Sequence, residues 1–100
     1  MQIIEDNGIF RILLEGRIDS NNAARTEKEL FAAIEKRGNA AFVEIDAAAL
    51  EYISSAGLRA LILGQKTAAS KGGSMVIINV CPSVQDVLRV TGFEKVLTIR

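Results

Sequence analysis

Strand-like and helix-like stretches alternate along this chain, and glycine stands at most of the changes in period. Gln2–Asp6 and residues 9–15 read as strands joined by Asn7-Gly8, two residues that tolerate the positive φ of a tight hairpin turn. The first two strands are therefore expected to be antiparallel neighbours. The second ends at Gly16, with Arg17-Ile18-Asp19 as a connector. A helix over about residues 22–37 follows, capped by Ser20 or Asn21, with Ala23, Leu30, Phe31 and Ile34 on its apolar stripe and Gly38-Asn39 stopping it. Residues 40–46 are apolar except for Glu44, the pattern of a central strand covered on both faces. Helical crossovers flank that strand, so it should run parallel to a neighbour. The Ala47-Ala48-Ala49 run reads as a short loop, because the Tyr-Ile-Ser-Ser after it breaks any helical period. A helix over about residues 56–71 buries Leu58, Leu61, Ile62, Ala68 and Ala69 and ends at Gly72-Gly73. Residues 74–80 form the next strand. Cys81-Pro82 opens a third helix through about Thr91, with Val84, Val87 and Leu88 inward and Gly92 closing it. Residues 95–99 make a short last strand.

The order β-β-α-β-α-β-α-β predicts an α/β domain with a mixed, mostly parallel sheet of four or five strands, an N-terminal hairpin and about three flanking helices. Residues 1–100 are expected to form one domain, since the chain is long enough for a single core and shows no repeat or linker. Twelve basic and twelve acidic residues cancel, which gives no electrostatic footprint for nucleic acid or an anionic membrane. No apolar run has the length of a membrane span, and the N-terminus lacks the plan of a signal peptide. One cysteine and no histidine argue for a cytoplasmic setting and against a zinc site.

The chemistry concentrates between Ala49 and Ala60. Ser54 and Ser55 stand where the strand pattern gives way to a helix, and serine is a favoured cap for the unpaired N–H groups of a helix start. One hydroxyl as cap and the other as loop filler is the ordinary reading. A regulatory reading competes with it, because Ala56-Gly57 leave the hydroxyl approachable and a helix N-terminus tolerates a phosphate. Gly57 inside a helix costs about 1 kcal/mol against alanine; a close partner or tight packing on the sheet would each account for it. Catalysis by either serine is disfavoured, since no histidine is present to take its proton and no Gly-x-Ser-x-Gly elbow exists. Asp19 and Asp46 follow strands and are placed to meet at one end of the sheet, or else to cap turns. Gly72-Gly73 lacks the plan of a phosphate loop. Cys81 reads as a small helix-entry residue.

At this point the residues resemble a known family. Tyr52-Ile53-Ser54-Ser55-Ala56-Gly57-Leu58 is similar to the phosphorylation motif of STAS-domain anti-sigma factor antagonists, hydrophobic-Asp-Ser-Ser/Thr-Gly-Leu. Leu14-Glu15-Gly16-Arg17-Ile18-Asp19 resembles the segment that ends their second strand. Gly72-Gly73, Met75-Val76-Ile77, Pro82 and Thr91-Gly92-Phe93 fall where such proteins carry similar residues. Aligned on Gly57-Leu58, the family's phosphorylated serine falls on Ser55, with Ser54 as the lesser candidate. Ser54 replaces the usual Asp, and Ala56 replaces the usual Ser or Thr.

The resemblance implies a non-enzymatic partner switch without cofactor or metal. Unphosphorylated, the protein would bind an anti-sigma factor that is also a serine kinase; phosphorylation would release it, and a serine phosphatase would reset it. The docking surface implied comprises Asp19, Asp46, Ser54, Ser55, Ala56, Gly57, Leu58, Arg59 and Ile62. A monomer or weak dimer is expected, with neither nucleic acid nor membrane as partner. The family's usual C-terminal helix is expected to be missing after Arg100, leaving an apolar strip open. The alternative is a structural STAS subunit of a larger transport or signalling complex, to which the change from Asp to Ser54 points. A nucleotide-binding protein stands third.

Overall fold

The computed structural model describes residues 1–100. Asn7 and Gly8 have φ of 50° and 80°, the paired positive angles of a type I′ turn. They join strands β1 (Gln2–Asp6) and β2 (Ile9–Ile18) in antiparallel register, Asp6 opposite Ile9. Helix α1 (Ala23–Arg37) then brings β3 (Phe42–Ile53) alongside β2 in parallel, and α2 (Ser55–Ser70) brings β4 (Ser74–Ile78) alongside β3 in the same sense. The sheet order is β1-β2-β3-β4. Helix α3 (Pro82–Thr91), a 3₁₀ turn at Phe93–Lys95 and one bridge from Ile77 to Ile99 complete the chain. No helix is long and apolar enough to cross a membrane.

Both parallel crossovers step in one direction, and such crossovers share one hand, so α1 and α2 lie side by side on one face of the sheet. Strand residues alternate between faces, and those under the helices are buried: Phe10, Ile12 and Leu14, then Val43, Ile45 and Ala47, then Met75 and Ile77. Gly64 marks the closest approach. A Cβ there would lie 2.6 Å from Leu30 Cδ2 and 3.4 Å from the Met75 sulfur, so its missing side chain lets α1, α2 and β4 meet.

The sequence suggested a central strand with helices over both faces; α1 and α2 supply that layer on one. On the other, the row Ile4, Arg11, Glu44 and Val76 runs straight across the four strands. Glu44, 7% exposed, is the one buried charged residue, and Arg11 Nε donates to its carboxylate at 2.6 Å. That hydrogen bond holds the guanidinium protonated even more firmly than in an ordinary arginine. Arg100 lies over the Phe42 ring, 5.5 Å from its centre.

Several local expectations are corrected. β3 runs straight through the three alanines that suggested a loop. Between Leu13 and Glu15 of β2 it advances from Asp46 to Ala49, and between Gly16 and Arg17 from Leu50 to Tyr52. These are bulges, which insert residues without ending a strand. Asp46 Oδ1 accepts the Ala48 N–H at 2.9 Å, supplying an acceptor where the ladder is interrupted. β2 likewise continues through Arg17 and Ile18, bending at Gly16 with its φ of 72°. The N-cap of α1 is Asn22 rather than Ser20 or Asn21, and its side chain does not cap. Its amide is committed to the preceding turn, accepting from Asp19 N and donating to the Arg17 carbonyl.

Phe31 is 52% exposed. It stands about 100° around the helix from Leu30, and the stripe that meets the sheet is Leu30, Ala33 and Ile34. Ala69 is also exposed, Ala68 holding the inward position, while Ile62 and Val87 are half-buried. β4 stops at Ile78, and Asn79 turns the chain with a φ of 61°. The expected last strand is reduced to the 3₁₀ turn and the single bridge. Because β3 extends beyond β4, its far edge is served by the entry to α3: Cys81 Sγ donates to the Leu50 carbonyl and Ser83 Oγ to that of Glu51.

Candidate functional site

The joint between β3 and α2 lies at the end of the sheet where β2 also finishes. Ile53 closes β3 fully buried, and Ser54 then takes an extended conformation with φ −87° and ψ 171°. Its N–H donates to the Ile18 carbonyl at 2.8 Å, and its carbonyl accepts from Leu58 N at 2.9 Å. Its Oγ accepts from Gly57 N at 3.2 Å. Ser54 is thus the N-cap, with backbone and side chain both engaged. Ser55 is the first residue of α2 and is exposed. Its hydroxyl takes no part in the cap.

Gly57 is explained by packing. A Cβ there would stand 2.7 Å from both Ile18 Cγ2 and Ile53 Cγ1, so the helix seats directly on the two strand ends. Leu58 is fully buried. These two residues, expected on the docking surface, belong to the core, because the first turn of α2 presses its 57–58 edge onto the sheet. Arg59 faces outward, while Ala56 and Ile62 are half-buried. Arg59 stands one turn along α2 from Ser55, the spacing at which side chains on a helix meet.

Asp19 follows the end of β2 and so lies at the same end as Ser54. Its Oδ1 accepts from Asn21 N at 2.9 Å, which shapes the turn into α1. Asp46 does not join it. It pairs with Leu13 and Ile78 well before the end of β3, and the run of β2 from Leu13 to Ile18, at about 3.3 Å per residue, sets it roughly 17 Å from the Ile53 end of β3. Its carboxylate holds Ala48 N and Asn79 Nδ2 instead, bracing the turn after β4. The separation arises because β3 continues, through its bulges, for seven residues past the point where the sequence seemed to end it.

A shallow depression of about 330 Å³ opens between α1 and α2, lined by Ser20, Ala23, Ala24, Ala56, Arg59 and Leu63 among others. Ala24 and Leu63 were not singled out from sequence, although only one residue of the Leu61-Ile62-Leu63 run can face fully inward on a helix. Arg17 stacks on Tyr52 at 4.4 Å on the adjoining strands, a pairing that needed the register to be seen. The sheet order never reverses, so the crevice where doubly wound sheets hold nucleotides is not formed. On the edge away from β2, the Cys81 thiol is drawn below its ordinary pKa, first by its hydrogen bond with Ser83 and then by the backbone of Val84.

The model of the STAS domain family matches residues 1–100. A protein named as the anti-sigma factor antagonist BtrV of Bordetella bronchiseptica is 33% identical over 93 residues, covering 93% of this chain and 78% of that protein. An anti-sigma F factor antagonist of Paenibacillus polymyxa is 25% identical over 92 residues, 92% of this chain and 78% of that one. Among solved structures, an anti-sigma factor antagonist of Mycobacterium paratuberculosis superposes with a TM-score of 0.81 at 21% identity, across 98% of this chain and 81% of that one.

Proposed function

This chain belongs to the STAS-domain family, and on that premise we propose that it is an anti-sigma factor antagonist whose choice of partner is controlled at the Ser55 hydroxyl. The division of labour between the two serines carries the reading. Ser54 secures the helix start through Gly57 N, and Ser55 stands exposed beside it. Serine caps a helix about as well as aspartate does, so Ser54 in the place of the family's usual Asp preserves the joint while removing a charge next to the acceptor.

The unmodified face around Ser55, Ala56 and Arg59, with Asp19 across the joint, would bind an anti-sigma factor that is itself a serine kinase. In the switch, Ser55 Oγ attacks the γ-phosphorus of ATP. The new O–P bond replaces the bond to ADP, and the hydroxyl proton passes to a base of the kinase. The product carries about −1.5 to −2 charges at neutral pH. On this chain that charge is tolerated, since it sits at the positive end of α2 with Arg59 one turn away. On the partner's side the dianion must be desolvated, and that cost releases the complex. A serine phosphatase would restore the hydroxyl. The protein acts by binding rather than by catalysis, in the cytoplasm where its partners work.

The test is incubation with the cognate kinase and ATP, followed by mass mapping of the phosphopeptides. Label on Ser55 is expected. Label on neither Ser54 nor Ser55 would remove the switch and leave a STAS subunit that binds its assembly without modification.

A further inference from the structure

We propose that β1 is a self-pairing edge through which two copies of this chain join their sheets, antiparallel about Ile4. The strand has a neighbour on one side only, and all five of its residues are exposed. Ile3 and Ile4, on opposite faces, are 48% and 45% exposed. Edge strands are commonly blunted by charged side chains, lysine above all, by proline or by a bulge; Gln2–Asp6 has no lysine, proline or bulge, and its charges, Glu5 and Asp6, stand together at the turn end.

The type I′ turn fixes which backbone groups are free. Asp6 and Ile9 flank a two-residue turn and bond each other, so Ile4 and Gln2 also direct their N–H and C=O toward β2. The corresponding groups of Ile3 and Glu5 point away from the sheet. A second copy that runs antiparallel with its faces aligned sets Ile4 against Ile4, Ile3 against Glu5 and Gln2 against Asp6. Each outward group of Ile3 and Glu5 then meets a partner, and no like charges face one another. Slid two residues toward the turn, the register would oppose Glu5 to Glu5. Slid the other way, it would oppose Ile3 to Ile3 and leave Asp6 beyond the pairing.

Charge selects the first arrangement. Lys36 and Ile3 together line a trough of about 540 Å³ between α1 and β1. The residues beside Lys36 are already paired, Glu35 with Lys71 and Arg37 with Glu5, whereas Lys36 has no acidic side chain at ion-pair distance. In the Ile4-centred register, Glu5 of the second copy arrives directly opposite Ile3, on the face where Lys36 stands, so that its carboxylate, held by its own Arg37, is shared between two cations. Five paired residues bury less than the ~1,200 Å² of a stable interface, so a weak contact with a dissociation constant of about 0.1–1 mM is expected. This edge stands apart from Ser55, and its test does not depend on the switch.

Sedimentation equilibrium of the full chain between about 10 μM and 2 mM should show a monomer–dimer equilibrium. Glu5→Pro removes an outward N–H that the internal ladder does not use and is tolerated on an edge. Ile4→Lys places two cations at the symmetry axis. Each should weaken association at least about tenfold. Register is read by mild oxidation in a Cys81→Ser background. Residues facing each other in a non-hydrogen-bonded pair lie about 4.5 Å apart at Cα, within disulfide range, so Ile4→Cys should cross-link and Ile3→Cys should not. A monomer at every concentration, dimers unmoved by Ile4→Lys, or Ile3→Cys cross-linking as readily as Ile4→Cys would each overturn the proposal.

Discussion

Alanine at residues 54 and 55, one position at a time, separates the contributions of two neighbouring hydroxyls to the start of α2. Ser54 caps α2 by accepting from Gly57 N at 3.2 Å, and removing such a cap costs about 1 kcal/mol, within a range of about 0.5–2. Ser55 occupies the first helical position, exposed and outside the cap, so Ser55→Ala should change stability by no more than about 0.5 kcal/mol. Ser55→Asp places a negative charge at the positive end of the helix and one turn from Arg59. It should stabilise by about 0.3–1 kcal/mol from the dipole, with a few tenths more from the pair. For a domain of this size about 1 kcal/mol moves Tm by about 4–8 °C. Ser54→Ala should therefore melt about 4–8 °C lower, Ser55→Ala close to wild type, and Ser55→Asp a few degrees higher. Urea titration with an unchanged m value would confirm that stability, rather than the denatured state, has moved. A loss at Ser55→Ala equal to that at Ser54→Ala, or destabilisation by Ser55→Asp, would refute the assignment of roles. The outcome also decides whether binding data on Ser55 variants can be read without a folding correction.

Gly57→Ala should destabilise by about 1 kcal/mol in a thermal melt, because overpacking against Ile18 and Ile53 at 2.7 Å outweighs the helix propensity gained. A more stable variant would show that α2 is free to lift from the strand ends. Gly73→Ala should cost more, about 2 kcal/mol or above, since the new Cβ would meet the backbone of Ala41, with its nitrogen at 2.8 Å, rather than a side-chain tip that can turn. Equal losses at the two glycines would contradict that distinction. Cys81 should be alkylated with a pH midpoint below that of an ordinary thiol, because hydrogen bonding by Ser83 favours the thiolate. Ser83→Ala should raise the midpoint, as measured by iodoacetamide rates across pH; an unmoved midpoint would remove Ser83 as the cause.

The fold was largely legible, and the failures share causes. Asn7-Gly8 announced the hairpin because few other residue pairs adopt two positive φ angles cheaply. The helix ends at Gly38 and Gly72 were marked in the same local way. The Ala47–Ala49 segment was not legible, since a bulge depends on where the neighbouring strand offers its ladder groups, and Asp46 as the substitute acceptor becomes visible only in register with β2. That one misreading also moved Asp46 to the wrong end of the sheet. Phe31 shows a second cause: helical periodicity admits a broad stripe, and the width actually buried was set by how closely Gly64 lets α2 approach Leu30. At the site, the serine pair and its helix were evident from spacing and from the family resemblance. Which hydroxyl is free, and that Gly57 and Leu58 face inward, required the seat of α2 on Ile18 and Ile53.

The most direct measurement of the proposed switch is calorimetric titration of the cognate anti-sigma factor with unmodified, Ser55-phosphorylated and Ser55→Ala protein. The unmodified and Ser55→Ala forms should bind alike, and the phosphorylated form at least about 100-fold more weakly, a difference of about 2.8 kcal/mol. Equal affinity for the phosphorylated and unmodified forms would contradict the account, whatever the position of the phosphate.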